Sequence, residues 1–269
     1  MGEGRTEIER VYAMSDLHGH LPCLQAALEL VDLEGDSGAQ LVLLGDYIDR
    51  GPQSAEVLYA VRHLHQRFPE RVVVLRGNHE DWFLDWFDAQ DHDLSWLMTD
   101  IDLVTVKSFL EPLELAQALG HQDPTSDASA LDGPTMNRRI KQAIRGRHAG
   151  LLDWLHALPR CYETDAQIFV HAGVNEDAGD LWKAATPERM FTEKFPPTFG
   201  SFVKTIIAGH VATASIHPDG SHGVFFDGES HYYIDGSAEY TGRANLLRYS
   251  IAEGTYQANV VDPETSGSG

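Results

Sequence analysis

Five stretches of the chain place Asp, His or Asn directly after an apolar run. Residues 10–15 lead into Asp16-Leu17-His18-Gly19, and 40–44 into Gly45-Asp46-Tyr47-Ile48-Asp49-Arg50-Gly51. Residues 71–76 lead into Gly77-Asn78-His79-Glu80, 167–170 into His171-Ala172-Gly173, and 205–208 into Gly209-His210. Carboxylate, imidazole and amide oxygen are donors for Mn, Fe, Zn or Mg rather than for soft copper(I). One aspartate can bridge two cations through its two oxygens. Two cations about 3.5–4 Å apart clamp the attacking and leaving oxygens of an in-line displacement at phosphorus. They also acidify a bridging water, so that hydroxide exists near neutral pH. Glycines beside these residues let the backbone turn sharply and come close to the ions.

Such donors converge only if the elements before them are neighbouring strands that end on one side. Leu21, Leu24, Leu28 and Val31 recur with helical spacing after the first apolar run, with Pro22 suited to a first helical position. A second helix is expected over 52–67, with Val57, Val61, Leu64 and Phe68 on one face, and a third from His79 through Phe87. The resulting β-α-β-α-β-α order predicts parallel strands with right-handed crossovers and ligand-binding turns at their carboxyl ends. Residues 88–135 break the rhythm. They are acidic, and 120–134 is rich in Asp, Ser, Gly and Pro, so an inserted helical cap ending in a mobile loop is expected. Residues 136–158 read as a helix with a basic, solvent-facing side that includes Arg138, Arg139, Lys141, Arg145 and Arg147. Four short β segments at 223–227, 231–235, 245–251 and 255–261 suggest an antiparallel sheet. Residues 1–10 should fray and 263–269 should form a disordered tail, leaving one domain over 1–262.

The 269 residues suffice for one α/β domain with a large core. No apolar run approaches the roughly 18 residues of a membrane span. Forty-one acidic residues against 20 Lys and Arg give a formal charge of -21. That field repels long polyanions and argues against a nucleic-acid track, while leaving room for a small phosphorylated substrate if bound cations invert the local potential. Cys23 and Cys161 form no paired motif and read as buried thiols, which points to a cytoplasmic location.

Taken together and in order, Asp-x-His-Gly, Gly-Asp-x-x-Asp-Arg-Gly, Gly-Asn-His-Glu, His-Ala-Gly and Gly-His resemble the binuclear-metal phosphoesterases. More narrowly they resemble the bacterial and phage form of the phosphoprotein phosphatases, a branch with lambda-type protein phosphatases and symmetrical diadenosine tetraphosphate hydrolases. The resemblance covers about 10–260 and leaves 88–135 unmatched. It implies a four-layer α/β/β/α sandwich of two mixed sheets flanked by helices, and two divalent metal ions, with Mn expected first. It further implies that Asp16 and His18 hold one metal, that Asp46 bridges both, and that Asn78, His171 and His210 hold the other. His79 would protonate the leaving oxygen, with Asp49 orienting it and raising its pKa. Arg50 would bind phosphoryl oxygens, unless it merely pairs with a neighbouring carboxylate. A second phosphate-binding residue is expected after His171, with Arg189 first and Lys183 second. The implied substrate is a phosphorylated protein or a small phosphoester; a dinucleoside tetraphosphate is the alternative, and an idle metal-binding scaffold a third.

Overall fold

A computed structural model describes residues 7–120 and 132–265. In β1 (Arg10–Met14) the alternation sends Val11 and Ala13 to one face and Tyr12 and Met14 to the other, and all four are buried. A strand buried on both faces needs cover on both. α1 (Leu21–Val31), β2 (Ala39–Leu43), α2 (Ser54–Arg67), β3 (Val72–Val74) and α3 (Asn78–Asp88) follow, so the expected alternation of strands and helices holds. β1 pairs in parallel with β2, and β2 with β3. Residues 1–6, at which fraying was expected, lie outside the described residues.

Within 88–135 the chain forms α4 (Val104–Phe109) and α5 (Pro112–Ala118), then enters α6 (Gly133–His156). The loop expected at 120–134 falls, from 121 to 131, outside the described residues. An aromatic core joins this segment to α3: Phe83 stacks on Phe109 at 5.6 Å, and Trp86 meets Trp96 at 4.6 Å. One expectation for α6 needs correction. Lys141 is buried rather than solvent-facing; its ammonium donates to Ala89 O at 3.0 Å and lies 5.0 Å from the Trp86 ring centre. His148 of the same helix is buried between Tyr59 Oη and Phe109 O, at 2.7 Å from each.

β4 (Cys161–Glu163), a short strand that the sequence did not suggest, precedes β5 (Gln167–Val170). The stretch 175–200 carries α7 (Trp182–Ala185) and α8 (Glu188–Glu193), and β6 (Thr205–Ala208) follows. The remaining elements are β7 (Phe225–Phe226), β8 (His231–Tyr233), α9 (Ala238–Thr241), β9 (Ala244–Ser250) and β10 (Thr255–Val261). The four C-terminal strands do not make one antiparallel sheet. β9 and β10 form an antiparallel hairpin on β1, giving a first sheet ordered β10-β9-β1-β2-β3. β8 instead joins β6 in parallel, with β7 antiparallel at its edge, in a second sheet ordered β4-β5-β6-β8-β7.

The two mixed sheets pack through Val11, Ala13, Val42, Leu44 and Leu247 on one side and Phe169, Ile207 and Ile234 on the other. Alternate positions on the first sheet, Tyr12, Met14, Leu41 and Leu43, face the helices. Ile168, Val170 and Ile206 of the second sheet face Trp182 and Phe191. Two mixed sheets with helical cover are the architecture expected. Among the described residues no helix is long and apolar enough to cross a membrane. Cys23 is buried, but Cys161 is only half-buried, because its strand lies at the sheet edge.

Candidate active site

The turns after β1, β2 and β3 are tied together before any side chain is considered. Asp16, His18 and Gly19 donate their amides to Gly45, Asp46 and Tyr47 carbonyls at 3.1, 2.9 and 2.8 Å. Glu80, fully buried at the start of α3, accepts the amides of Asp46, Tyr47 and Ile48 at 2.9, 2.8 and 3.3 Å, and that of Gly77 at 3.0 Å. One carboxylate therefore fixes the second turn against the third; burial pushes it up to about 7. Asp16, His18, Asp46, Asp49, Arg50 and His210 all have left-handed backbones, with φ between 41° and 68°. That conformation is costly for L residues and persists where surrounding bonds over-determine it. Ser15 is not among the positive-φ residues, so its side chain is tolerated. Close approach does require glycine at two places. A Cβ on Gly77 would lie 2.1 Å from Asp46 Oδ1, and one on Gly209 would lie 2.2 Å from Asp16 Oδ2.

The structure brings the predicted donors together at the carboxyl ends of β1, β2, β3, β5 and β6. Asn78 Oδ1 lies 2.8 Å from His171 Nε2 and 2.9 Å from His210 Nδ1. Asp46 offers Oδ1 at 3.4 Å to His171 Nε2 and Oδ2 at 3.6 Å to His18 Nε2. His18 Nδ1 and His171 Nδ1 donate to Ile48 O and Leu44 O, at 2.8 and 3.1 Å, which turns each Nε2 toward the pocket. Two groups of donor atoms, His18–Asp46–His79 and Asp46–His171–His210, each fall within 4.8 Å, and Asp46 belongs to both. Asp16 lies in neither group; its oxygens accept the His210 amide at 3.1 and 3.3 Å.

These residues fit divalent cations. His18 Nε2 is buried with no hydrogen-bond partner among the described residues, an arrangement that is costly unless something else takes its lone pair. The electrostatics agree. Burial pushes Asp16 well above the carboxylate range, and Asp235 adds to this. Burial also raises Asp46, but the His171, His79 and His18 imidazoles outweigh it and hold Asp46 well below that range. Burial pushes His18 down to about 3, and burial with the His171 charge takes His210 to about 4. His171 rises to about 9 because the Asp46 charge overcomes burial. The pocket thus contains bare imidazole nitrogens beside carboxylates that attract positive charge.

His79 Nδ1 donates to Asp49 Oδ2 at 2.7 Å, leaving Nε2 3.8 Å from Asp46 Oδ2 and 3.4 Å from Arg50 Nη2. Burial lowers its pKa, but the charges of Asp46 and Asp49 prevail and raise it. Asp49 is held in turn by the insertion: Trp96 Nε1 donates at 3.2 Å and Thr105 Oγ1 at 2.8 Å. Arg50 pairs with Glu239 of α9. Glu239, Trp96 and Thr105 were not anticipated, and no local motif marks them. Trp82 is 41% exposed, with its ring 5.0 Å from that of His79.

Neither basic residue expected after His171 is brought to these donors. Arg189 is held by Asp85 and, at 2.7 Å, by Glu193. Lys183 pairs with Glu163 of β4 at 3.1 Å. Nearby carboxylates satisfy both cations. Tyr47 is a core residue donating to Leu75 O at 2.8 Å, and Arg76 pairs with Asp81 at 2.9 Å, a structural role in each case.

Comparison with known proteins places this geometry in context. A structure of a candidate diadenosine tetraphosphatase aligns over 94% of each chain at 16% identity, with a TM-score of 0.55. A cold-active protein tyrosine phosphatase aligns over 96% of this chain and 80% of its own, at 18% identity and a TM-score of 0.56. At such identities the likeness is one of fold. The serine/threonine-protein phosphatase rdgC of Drosophila melanogaster is 40% identical over 73 residues, which is 27% of this chain and 11% of that protein. A candidate serine/threonine-protein phosphatase of Caenorhabditis elegans is 36% identical over 70 residues, 26% of this chain and 19% of that protein. The matched segments are thus under one fifth of these relatives' length. The calcineurin-like phosphoesterase model matches residues 9–214, which span the first two sheet crossovers, the insertion and every donor described above, and the chain belongs to that family of metal-dependent hydrolases.

Proposed function

We propose that the chain hydrolyses phosphate monoesters of the protein serine/threonine phosphatase kind, with manganese as the activating metal. We assign Asp16 and His18 to one cation, Asp46 as the bridge, and Asn78, His171 and His210 to the other. The observation that carries the reading is the position of His79: tied to Asp49 at 2.7 Å through Nδ1, with Nε2 3.4 Å from Arg50 and 3.8 Å from Asp46. When bound, the cations neutralise phosphoryl oxygens and acidify the attacking water. Arg50 orients the phosphoryl group through its fork of N–H donors. His79 keeps a proton at Nε2 for the departing oxygen, and the Asp49 carboxylate fixes the ring and favours that protonated form. Glu80 holds the backbone that carries Asp46 rather than touching substrate. His20 bonds back to His18 O at 2.8 Å, and we give it a supporting role.

Cleavage of a dinucleoside tetraphosphate is the second reading, favoured by the near end-to-end match to the candidate diadenosine tetraphosphatase fold. The acidic character of the chain and of the insertion weighs against so highly charged a substrate. We further take residues 1–262 as one domain with an insertion at 88–135, working in the cytoplasm. A substrate panel of p-nitrophenyl phosphate, a phosphoserine peptide and diadenosine tetraphosphate, run with Mn, Mg, Zn and Fe, tests the assignment. Turnover is expected to be highest for the monoesters with Mn and lost in Asp46→Asn. Wild-type rates from Asp46→Asn would contradict it, and a strong preference for diadenosine tetraphosphate would select the second reading.

A further inference from the structure

Arg50 Nη2 lies 3.4 Å from Nε2 of the candidate proton donor, and the guanidinium is already engaged. Its Nη1 donates to Glu239 Oε1. The Glu239 side chain is 8% exposed while that of Arg50 is 44% exposed, so the carboxylate is enclosed and the guanidinium stays open to an incoming group. The second oxygen, Glu239 Oε2, is buried with no hydrogen-bond donor among the described residues. A carboxylate removed from water and only half-satisfied is poorly compensated by one ion pair, and turning outward restores its hydration.

The backbone around it is held in place, so any movement is confined to the side chain. Glu239 follows Ser237, a non-glycine residue at φ 55°, whose amide is held by Asp235 Oδ1 at 2.8 Å. α9 is a single turn, and Tyr240, next to Glu239, is 84% exposed. Rotation of the Glu239 side chain therefore needs no opening of the core. The Glu239 carboxylate also takes Nη1, one of the N–H donors that a phosphate would use.

We propose that Glu239 is an internal competitor for Arg50, and thereby a specificity-determining residue of the site. It holds the guanidinium until a phosphoryl group displaces it, then remains beside the pocket as a negative charge. This rests on the reading of the site as a phosphoester hydrolase and narrows its substrate class. Monoesters with a basic side chain near the ester gain a partner in the displaced carboxylate. Substrates carrying further phosphates meet repulsion from it.

Glu239→Gln keeps the shape and removes the charge. Steady-state kinetics with p-nitrophenyl phosphate and inhibition by inorganic phosphate, at fixed manganese, read the effect. KM and the phosphate inhibition constant should each fall about fivefold, the size of one partly exposed ion pair, with kcat within about twofold. The ratio of kcat/KM for diadenosine tetraphosphate to that for p-nitrophenyl phosphate should rise by about fivefold or more. An unchanged or raised KM would mean that Glu239 only props Arg50 in place, and would overturn the proposal. Should the variant fail to fold, wild-type protein decides. A phosphoserine peptide with neighbouring arginines should exceed its glutamate counterpart in kcat/KM by about fivefold, and equal values would overturn the proposal. Wild-type protein inactive on every phosphoester would instead remove the hydrolase reading itself, and this inference with it.

Discussion

The imidazole of His79 has one nitrogen committed to Asp49 and the other facing Arg50 and Asp46, the position a proton donor to a bound phosphoester needs. Its ring also lies 4.7 Å from that of His18, so it is packed as well as bonded. His79→Gln should lower kcat on p-nitrophenyl phosphate by about 10²–10⁴-fold, the usual worth of a general acid, with little change in KM. Loss of less than about threefold would remove His79 from the proton-donor role. A substrate whose leaving group needs no protonation should be affected far less, and that contrast separates acid catalysis from damage to the pocket. The donors themselves were readable from the sequence because each ends a strand beside a glycine, so type and position coincide locally. Glu239 was not readable: it meets Arg50 across 189 positions, and nothing near it in sequence announces the pairing. Arg189 shows the converse. Its type suggested phosphate, but a guanidinium serves whichever carboxylate lies nearest, and here those are Asp85 and Glu193.

At the level of elements, two segments without regular periodicity support the site. The insertion sends Trp96 and Thr105 to Asp49, a role hidden in a stretch whose acidic composition suggested only a cap. Its Asp100 is turned inward to accept the amides of Thr105 and Val106, at 2.8 and 3.0 Å. The segment between β5 and β6 is anchored by His231 of β8, buried between Asp227 at 2.8 Å and Glu176 at 2.9 Å. Lys194 also binds Glu176, at 2.6 Å. Burial lowers His231, but Glu176 and Asp227 overcome it and raise its pKa. A raised folded-state pKa contributes stability that is complete below the ordinary histidine range and is lost as pH rises through the folded value. The thermal midpoint should therefore fall on the alkaline side of the ordinary histidine range. His231→Gln, which leaves two carboxylates facing a neutral side chain, should cost about 2–4 kcal/mol at pH 6 and flatten that dependence. Parallel pH profiles for wild type and variant would show that His231 is not the responsible group. The C-terminal strands explain a different failure of reading. Alternating apolar and polar residues define a strand but not its sheet, so β8 and β9 look alike in sequence while joining different sheets.

For the whole molecule, the fold follows from burial on both faces of each sheet. The central strands read as continuous apolar runs, and the covering helices carry the matching faces. That much was legible, because the alternation of strand and helix over the first 88 residues admits few topologies. Lys141 and His148 were less so, since helical spacing does not reveal which polar residue a neighbouring element will enclose. Five strand ends supply the donors of the two groups, with Asp46 common to both. Metal content per chain, measured by plasma mass spectrometry after manganese loading and removal of free metal, tests two-cation binding there most directly. Wild-type protein should retain two ions per chain, and folded Asp46→Asn fewer than one. Folded wild-type protein that retains none, or an Asp46→Asn variant that still retains two, would contradict it.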